Sequence, residues 1–461
     1  NVNGNLTLAS GSTYQIEAAS DGTSDRIHAT GTATLQGANA MVLAADGNWN
    51  PYATYRVLTA DGGVTGTFAS VTTNFAFLDP QLNYDAQNIT LSLTRNNVSF
   101  QSLATTVNQR SSAAALEFAP GGALYRAVVQ LSAPVAVSAF DQLSGEIHAS
   151  LRSSLVEDSH FVRDAAIDRL RQTQDGIAPP ADMKVSEGAG GAAWGRAYGS
   201  WGKTRGDGNA AANDRSTSGI VVGADRQVGD WRLGVMGGAG RSRIDVDARN
   251  SRATVDSYNL GVFAGTRLGD LALRTGASYT RHDIETSRNV AFPGLVNALT
   301  ANYHGNTVQA FGELGWRLDT GPVALEPFAN LAYVSLRTDS FAEGGGVAAL
   351  LGHVGRTENT FSTIGLRAST AFDLGGTQAT LRGMVGWRHA FDDTSTLAAL
   401  AMNGAARFQV AGVPIAGDAA VVEAGVDFTL QRDLTVGVGY AGQAGNGVKN
   451  HGVKANLLWK F

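Results

Sequence analysis

Cysteine is absent from the 461 residues. Its absence removes disulfide staples, thiol catalysis and Cys-based metal centres together. Charge is sparse: Lys, Arg, Asp and Glu make up 16% of the chain, and the net charge is −5 with no basic block. Nucleic-acid binders carry a basic stripe, so no nucleic-acid partner is expected. No run of about 18 apolar residues occurs, which excludes a transmembrane helix and leaves a closed barrel as the one membrane architecture. No charged-then-apolar leader follows Asn1, so the expectation is that any signal peptide lies outside this sequence.

Catalytic signatures are missing as well. There is no GxSxG, HExxH, Walker-type or EF-hand loop, and the eight histidines are scattered. His148 stands two helical turns from the nearest acidic cluster. GAGGAAWG and GGAGRSR lack the strand–turn–helix setting of nucleotide loops and read as small residues in linkers and strands. Glu157-Asp158 and Asp283-Ile284-Glu285 read as solvated faces rather than an acid and base pair. The expectation is no catalytic residue, no metal ligand, no cofactor and no enzymatic activity.

What is present is a long polar helix. In residues 141–172, Leu143, Ile147, Leu151 and Leu155 fall four apart, and Phe161, Ala165, Ile167 and Leu170 continue an apolar side. Gly176, Pro179 and Pro180 stop it. Such a helix spans roughly 45–50 Å, more than the ~30 Å core of a bilayer. Yet it carries Glu146, Arg152, Glu157, Asp158, Arg163, Asp164, Asp168, Arg169 and Arg171, so it cannot face lipid. It is either a surface helix between domains or a rod enclosed by strands.

The rest of the chain divides around it. Residues 1–97 read as short strands between Gly, Asn and Asp turns, with Ile89, Leu91 and Leu93 alternating against Thr90, Ser92 and Thr94. A sandwich and a stacked β-solenoid both fit that spacing. The pattern is already under way at Asn1, so more solenoid is expected upstream. Residues 98–140 form a connector, with helices expected over 102–118 and 123–131 around Pro120-Gly121-Gly122. Residues 141–187 hold the helix and a Gly/Ala/Pro-rich linker.

Residues 188–461 contain about twelve alternating segments near the ~10-residue length of an outer-membrane strand. Val308, Ala310, Leu314, Trp316 and Leu318 oppose Gln309, Glu313 and Arg317. Val453, Ala455, Leu457, Trp459 and Phe461 oppose Lys454, Asn456 and Lys460. Gly229-Asp230, Gly269-Asp270, Thr320-Gly321, Gly375-Gly376 and Arg432-Asp433 mark tight turns. Polar loops are expected between them at 203–216, 287–304, 340–358 and 392–418. A soluble sandwich gives the same alternation within one strand. The strand number, the asymmetric connections and the terminal aromatics favour the barrel.

These residues resemble the monomeric autotransporters of type V secretion. SDRIHATGTATLQG and YRVLTADGGVTGTF resemble the autochaperone-like end of a passenger solenoid. FDQLSGEIHASLRSSL with FVRDAAIDRLR resembles the linker helix, while WGRAYGSWG, VVGADRQV and a strand ending in Phe461 resemble the barrel. The resemblance implies an all-β fold with a helical linker. A monomeric twelve-stranded barrel in the Gram-negative outer membrane would hold the helix in its pore, with residues 1–140 at the cell surface. Its partners would be outer-membrane lipid, the barrel-assembly machinery and its own passenger. The assembly signal is matched by Lys454, Trp459 and Phe461, whereas Asn456 occupies its usual Gly position. Strand parity puts Arg196, Arg232, Arg274, Arg317, Arg367, Arg382, Arg388, Lys454 and Lys460 toward the lumen, with Asp225, Glu313, Glu326, Glu423 and Asp427. Glu157, Asp158, Asp164 and Asp168 are placed to meet that basic surplus. Some autotransporters release passengers through an Asn in the pore helix. No Asn lies between Asn108 and Asn209, so that chemistry is excluded there, and Asn96-Asn97 reads as a turn. The expected function is export of the chain's own passenger through a plugged barrel. A diffusion channel with a periplasmic N-terminal domain is the alternative.

Overall fold

The computed structural model describes residues 1–18, 23–44, 54–174, 191–431 and 433–460. The expected linker at 175–187, with Gly176, Pro179 and Pro180, lies outside them, as do Arg432 and Phe461.

Twelve strands form one antiparallel barrel, numbered 1 to 12 in chain order. They are Gly191–Thr204, Asn213–Val228, Trp231–Val246, Ser251–Leu268, Leu271–Phe292, Leu295–Trp316, Ala324–Thr338, Gly355–Leu374, Thr377–Ala390, Asp418–Gln431, Leu434–Gly445 and Val448–Lys460. Strand 1 pairs with strand 12 from Ala192↔Lys460 to Thr204↔Val448, so the ring has no open edge. Alternation sets the two faces. Val308, Leu314 and Trp316 point outward, with Trp316 49% exposed, while Gln309, Phe311 and Glu313 point inward and are buried. Val453, Leu457 and Trp459 repeat the outward apolar row in strand 12.

The connections differ at the two ends of the barrel. Gly229, Gly269 and Gly375 adopt positive φ in short turns at one end. At the other end the expected loops turn out to be more structured. Residues 287–304 are no loop: strands 5 and 6 stay paired to Phe292↔Leu295 and turn at Pro293-Gly294. Polar residues on the outer face disguise this hairpin, whose inner face buries Ile284, Arg288, Val290 and Phe292. The loops after strands 7 and 9 hold Phe341–Ala342, Leu350–Gly352, Leu397–Met402 and Arg407–Ala411, which pair into a separate four-stranded sheet.

The N-terminal residues make three small sheets. Leu6–Leu8, Ala33–Gln36 and Val64–Thr67 pair in parallel, as do Thr13–Ala18, Asn39–Ala44 and Ser70–Thr73. Ile27–Ala29 joins Thr54–Ala60 in parallel, and that strand continues into antiparallel Asn88–Arg95 and Leu78–Tyr84. Leu6 and Thr13 pair with Ala33 and Asn39, 27 and 26 positions on, while Ile27, Ala33 and Asn39 pair with residues 31 positions on, as in the 2.7 Å bond from Ser70 Oγ to Asn39 Oδ1. Ile16, Leu35, Val42, Val57 and Leu58 fill the interior between the sheets.

Five α-helices follow among the described residues: α1 (Val107–Glu117), α2 (Ala123–Val129), α3 (Ala133–Leu143), α4 (Ile147–Asp158) and α5 (His160–Gln174). Thr106 and Gln109 form a capping box that starts α1, later than position 102, where a 3-10 turn (Phe100–Leu103) stands instead. The single helix expected over 141–172 is three pieces. Its first residues belong to α3, whose start is set by Ser132 and Pro134. Gly145 then turns the chain at φ +68°, where a Cβ would meet Leu350 Cδ1 at 2.3 Å. A second break falls at Ser159. Gln309 of the barrel wall donates to the Ser159 carbonyl at 3.0 Å, and the Ser159 hydroxyl donates to Val156 O at 2.7 Å. The first break uses glycine's freedom at positive φ, and the second is met by a wall residue remote in sequence.

Candidate functional site: the plugged lumen

α4 and α5 run through the barrel from end to end. At the long-connection end, Gly145 lies against Leu350 and Leu400 of the four-stranded sheet. At the short-turn end, Gln174 Nε2 donates to Thr266 O, and Arg267 donates to Gln174 O. Strand 1 starts at that same end, because Ala192 pairs with Lys460, whose N–H donates to Asp433 O.

The lumen grips the helices partly by apolar packing. Val162, Ala165, Ala166, Ile167 and Leu170 pack against Trp194, Val221, Met236, Phe263, Phe311, Ala332 and Leu458 of the wall. Phe161 stacks on Tyr198 with ring centroids 4.5 Å apart. Ile147, Leu151, Leu155 and Val156 meet Ile244, Val255, Ile284, Val334 and Leu336 in a second cluster. The inward aromatics were visible in strand parity, as Phe311 sits between Gln309 and Glu313. The opposite side of α5 faces a cavity of about 100 Å³ lined by Asp164, Asp168, Glu313, Arg367, Arg388 and Glu423, among others. The rod is therefore off-centre, pressed against one wall.

Ion pairs fix it there. Arg388 donates to Glu157 at 2.6 Å, and Asp158 accepts from Thr217 at 2.9 Å and Ser242 at 2.8 Å. Arg163 donates to Gln309 at 3.2 Å, while Asp164 pairs within its own helix with His160 at 2.8 Å. Asp168 binds Arg171 at 2.9 Å and also Arg196, with Lys454 3.7 Å away. Arg169 donates to both oxygens of Asp225, at 2.5 and 2.8 Å, and Arg232 joins that carboxylate.

The wall pairs with itself as well. Glu313 and Glu326 each accept from both Arg274 and Arg367, at 2.7–3.0 Å. Arg382 binds Asp427, and Lys454 binds Glu423 at 2.6 Å. Arg196 also donates to Asn456 Oδ1 at 3.0 Å. Arg317 lines a recess with Arg171 and Glu326. Lys460 sits exposed at the short-turn rim, and Trp459 is 58% exposed on the outer face. Desolvating this many charges costs several kcal/mol per ion, so the network's net stabilisation is much smaller than the number of its bonds suggests.

A further buried group was not legible in the sequence. Arg288 makes two 2.7 Å bonds to Glu343, which also accepts from His148 at 2.9 Å, and His148 meets Tyr303 Oη at 3.1 Å. Burial opposes charge on Glu343, yet Arg288 and His148 hold its carboxyl well below the usual carboxylate range. Arg249 ties Asp141 at 3.0 Å and Glu146 at 3.2 Å. The α3–α4 junction is clamped from two sides. Together the parts form a closed barrel with a polar rod held inside it, tied to a wall that is also cross-linked to itself.

Comparison with known proteins follows the same lines. Residues 193–441 match the family described as "Autotransporter beta-domain". Two proteins of Serratia marcescens, each named "Extracellular serine protease", are 33% and 31% identical across 98% of this chain, which covers 48% of each of them. The chain thus spans about half the length of these curated relatives. The translocator domain of autotransporter NalP from Neisseria meningitidis shares the fold, with a TM-score of 0.51 at 20% identity over 66% of this chain and 98% of that one. Barrel, internal helix and sequence agree, and the chain belongs to the autotransporter β-domain family.

Proposed function

We propose that this chain is the export and anchoring half of a longer secreted protein. The barrel sits in the outer membrane, residues 1–140 stand at the cell surface, and α4–α5 close the pore behind them. The observation that carries this reading is the path of α4–α5. It links an N-terminal module at the long-connection end to a strand that begins at the short-turn end, and it is too charged to take that path through lipid. The parallel stacking at intervals of 26–31 residues supports reading residues 1–97 as the last rungs of a passenger solenoid. The names of the Serratia marcescens relatives support an extracellular serine protease as the class of cargo, its catalytic groups lying upstream and none in this chain. The outward apolar belt fits outer-membrane lipid. The last strand is the segment the assembly machinery reads.

Topology is directly testable because the chain has no native cysteine. Phe118 is 74% exposed between α1 and α2. A Phe118→Cys protein is expected to react with a membrane-impermeant maleimide on intact cells. Labelling that requires permeabilised cells would replace export by the channel with a periplasmic domain.

A further inference from the structure

We propose that the long-connection face of the barrel is a receptor for the chain's own N-terminal module. It holds residues 1–121 by contact alone when the backbone is cut between α1 and α2. This rests on packing, so it stands or falls independently of which side of the membrane the module faces.

The receptor is built around an edge strand. Arg407–Ala411 ends the four-stranded sheet and would otherwise present unpaired N–H and C=O groups. Asn108 of α1 supplies what a neighbouring strand would. Its Nδ2 donates to Ala411 O and its Oδ1 accepts from Ala411 N, both at 2.8 Å. Asn209, from the connection after strand 1, accepts from Asn108 N at 2.7 Å. Asn108 is fully buried in this clasp.

Apolar contact continues from there. Phe100 and Leu116 of the module share one buried cluster with Phe140 of α3 and with Leu350, Leu400, Phe408 and Val410 of the loop sheet. Ser112 Oγ donates to Phe140 O at 2.9 Å, and Ala76 N donates to Leu131 O at 2.9 Å. These contacts bind residues before position 120 to residues after it. The covalent link between the two sets is the α1–α2 turn. There Phe118 is exposed and Gly121 adopts φ +81° with open space where a Cβ would stand. A cut in this turn therefore breaks none of the contacts described.

The test inserts a specific protease site between Gly121 and Gly122 of the full chain, purified in mild detergent. After cutting, the two fragments are expected to co-elute on size exclusion at micromolar concentration. Asn108→Ala leaves both Ala411 groups unsatisfied, and its cut fragments are expected to separate about tenfold faster or more. The uncut variant must elute with the parent and keep its heat-dependent gel shift, which separates lost docking from lost folding. Immediate separation of the parent fragments would overturn the proposal. Equal retention in cut parent and cut Asn108→Ala would overturn the assignment of the clasp.

Discussion

Deleting residues 147–171, which removes α4 and most of α5, is expected to raise single-channel conductance roughly tenfold while the barrel stays folded. An α-helix with its side chains fills a cylinder about 10–12 Å across. Eight strands enclose an interior that wall side chains alone can fill, and twelve strands enclose more. In this barrel that additional room is taken by α4 and α5 on one side and by the polar cavity on the other. Removing α4 and most of α5 leaves a lumen lined by Arg196, Asp225, Glu313, Arg367 and Glu423, which water hydrates readily. The wall's own bonds, such as Arg274 to Glu313 and Lys454 to Glu423, do not involve the deleted segment. Planar-bilayer recordings of the deletion protein check this, with a heat-dependent gel shift as the control for folding. Unchanged conductance in a folded deletion protein would remove the plug from the account.

The second large effect is on stability. Glu313→Ala is expected to destabilise the barrel by about 3–5 kcal/mol, because it breaks a buried pair from one side. Arg274 is 0% exposed and Glu313 is 2% exposed. Loss of that carboxylate leaves Arg274 and Arg367 sharing Glu326 as the remaining carboxylate of the quartet. Coulomb repulsion between two desolvated guanidiniums then adds to the unmet hydrogen bonds. Arg356 and Glu358 lie 2.8 Å apart on the outer surface and offer the contrast. Both are well exposed, so Glu358→Ala is expected to change stability by no more than about 0.5 kcal/mol. Urea titrations of the two variants in detergent measure the difference. Equal midpoints would mean that the lumen network carries no more weight than a surface pair.

The lumen charges were legible because a strand has a strict two-residue period. Once Val308, Leu314 and Trp316 define the lipid face, Glu313 has one direction left. The same period gives Asp225, Arg367 and Glu423 the inward direction. The break at Ser159 was not legible: Ser159 keeps helical φ/ψ, and the group its carbonyl meets is Gln309, 150 positions away. Gly145 is different, because a glycine at positive φ after the last turn of α3 is itself a local stop signal. Ser287, Asn289, Asn297 and Thr300 give the hairpin of strands 5 and 6 the composition of a loop, although Val290, Phe292 and Leu299 keep the strand alternation. Pieces as short as Phe341–Ala342 and Leu350–Gly352 leave no periodic signal, and the loop sheet they build could not be foreseen. Asn108 gave no sign of its role, since one carboxamide pairing with a strand edge has no sequence pattern.

The central claim is that α5 lies inside the closed barrel, and a cysteine pair tests it most directly. Leu170 Cδ2 lies 2.9 Å from where a Cβ on Gly265 would stand, on the inner wall of strand 4. No native cysteine competes. Leu170→Cys with Gly265→Cys is expected to cross-link under mild oxidation in intact cells. The product is a loop that alters gel mobility after denaturation and reverts with reductant. Failure to cross-link in a folded barrel, with both cysteines open to a bulky water-soluble maleimide, would place the helix outside the pore and contradict the account.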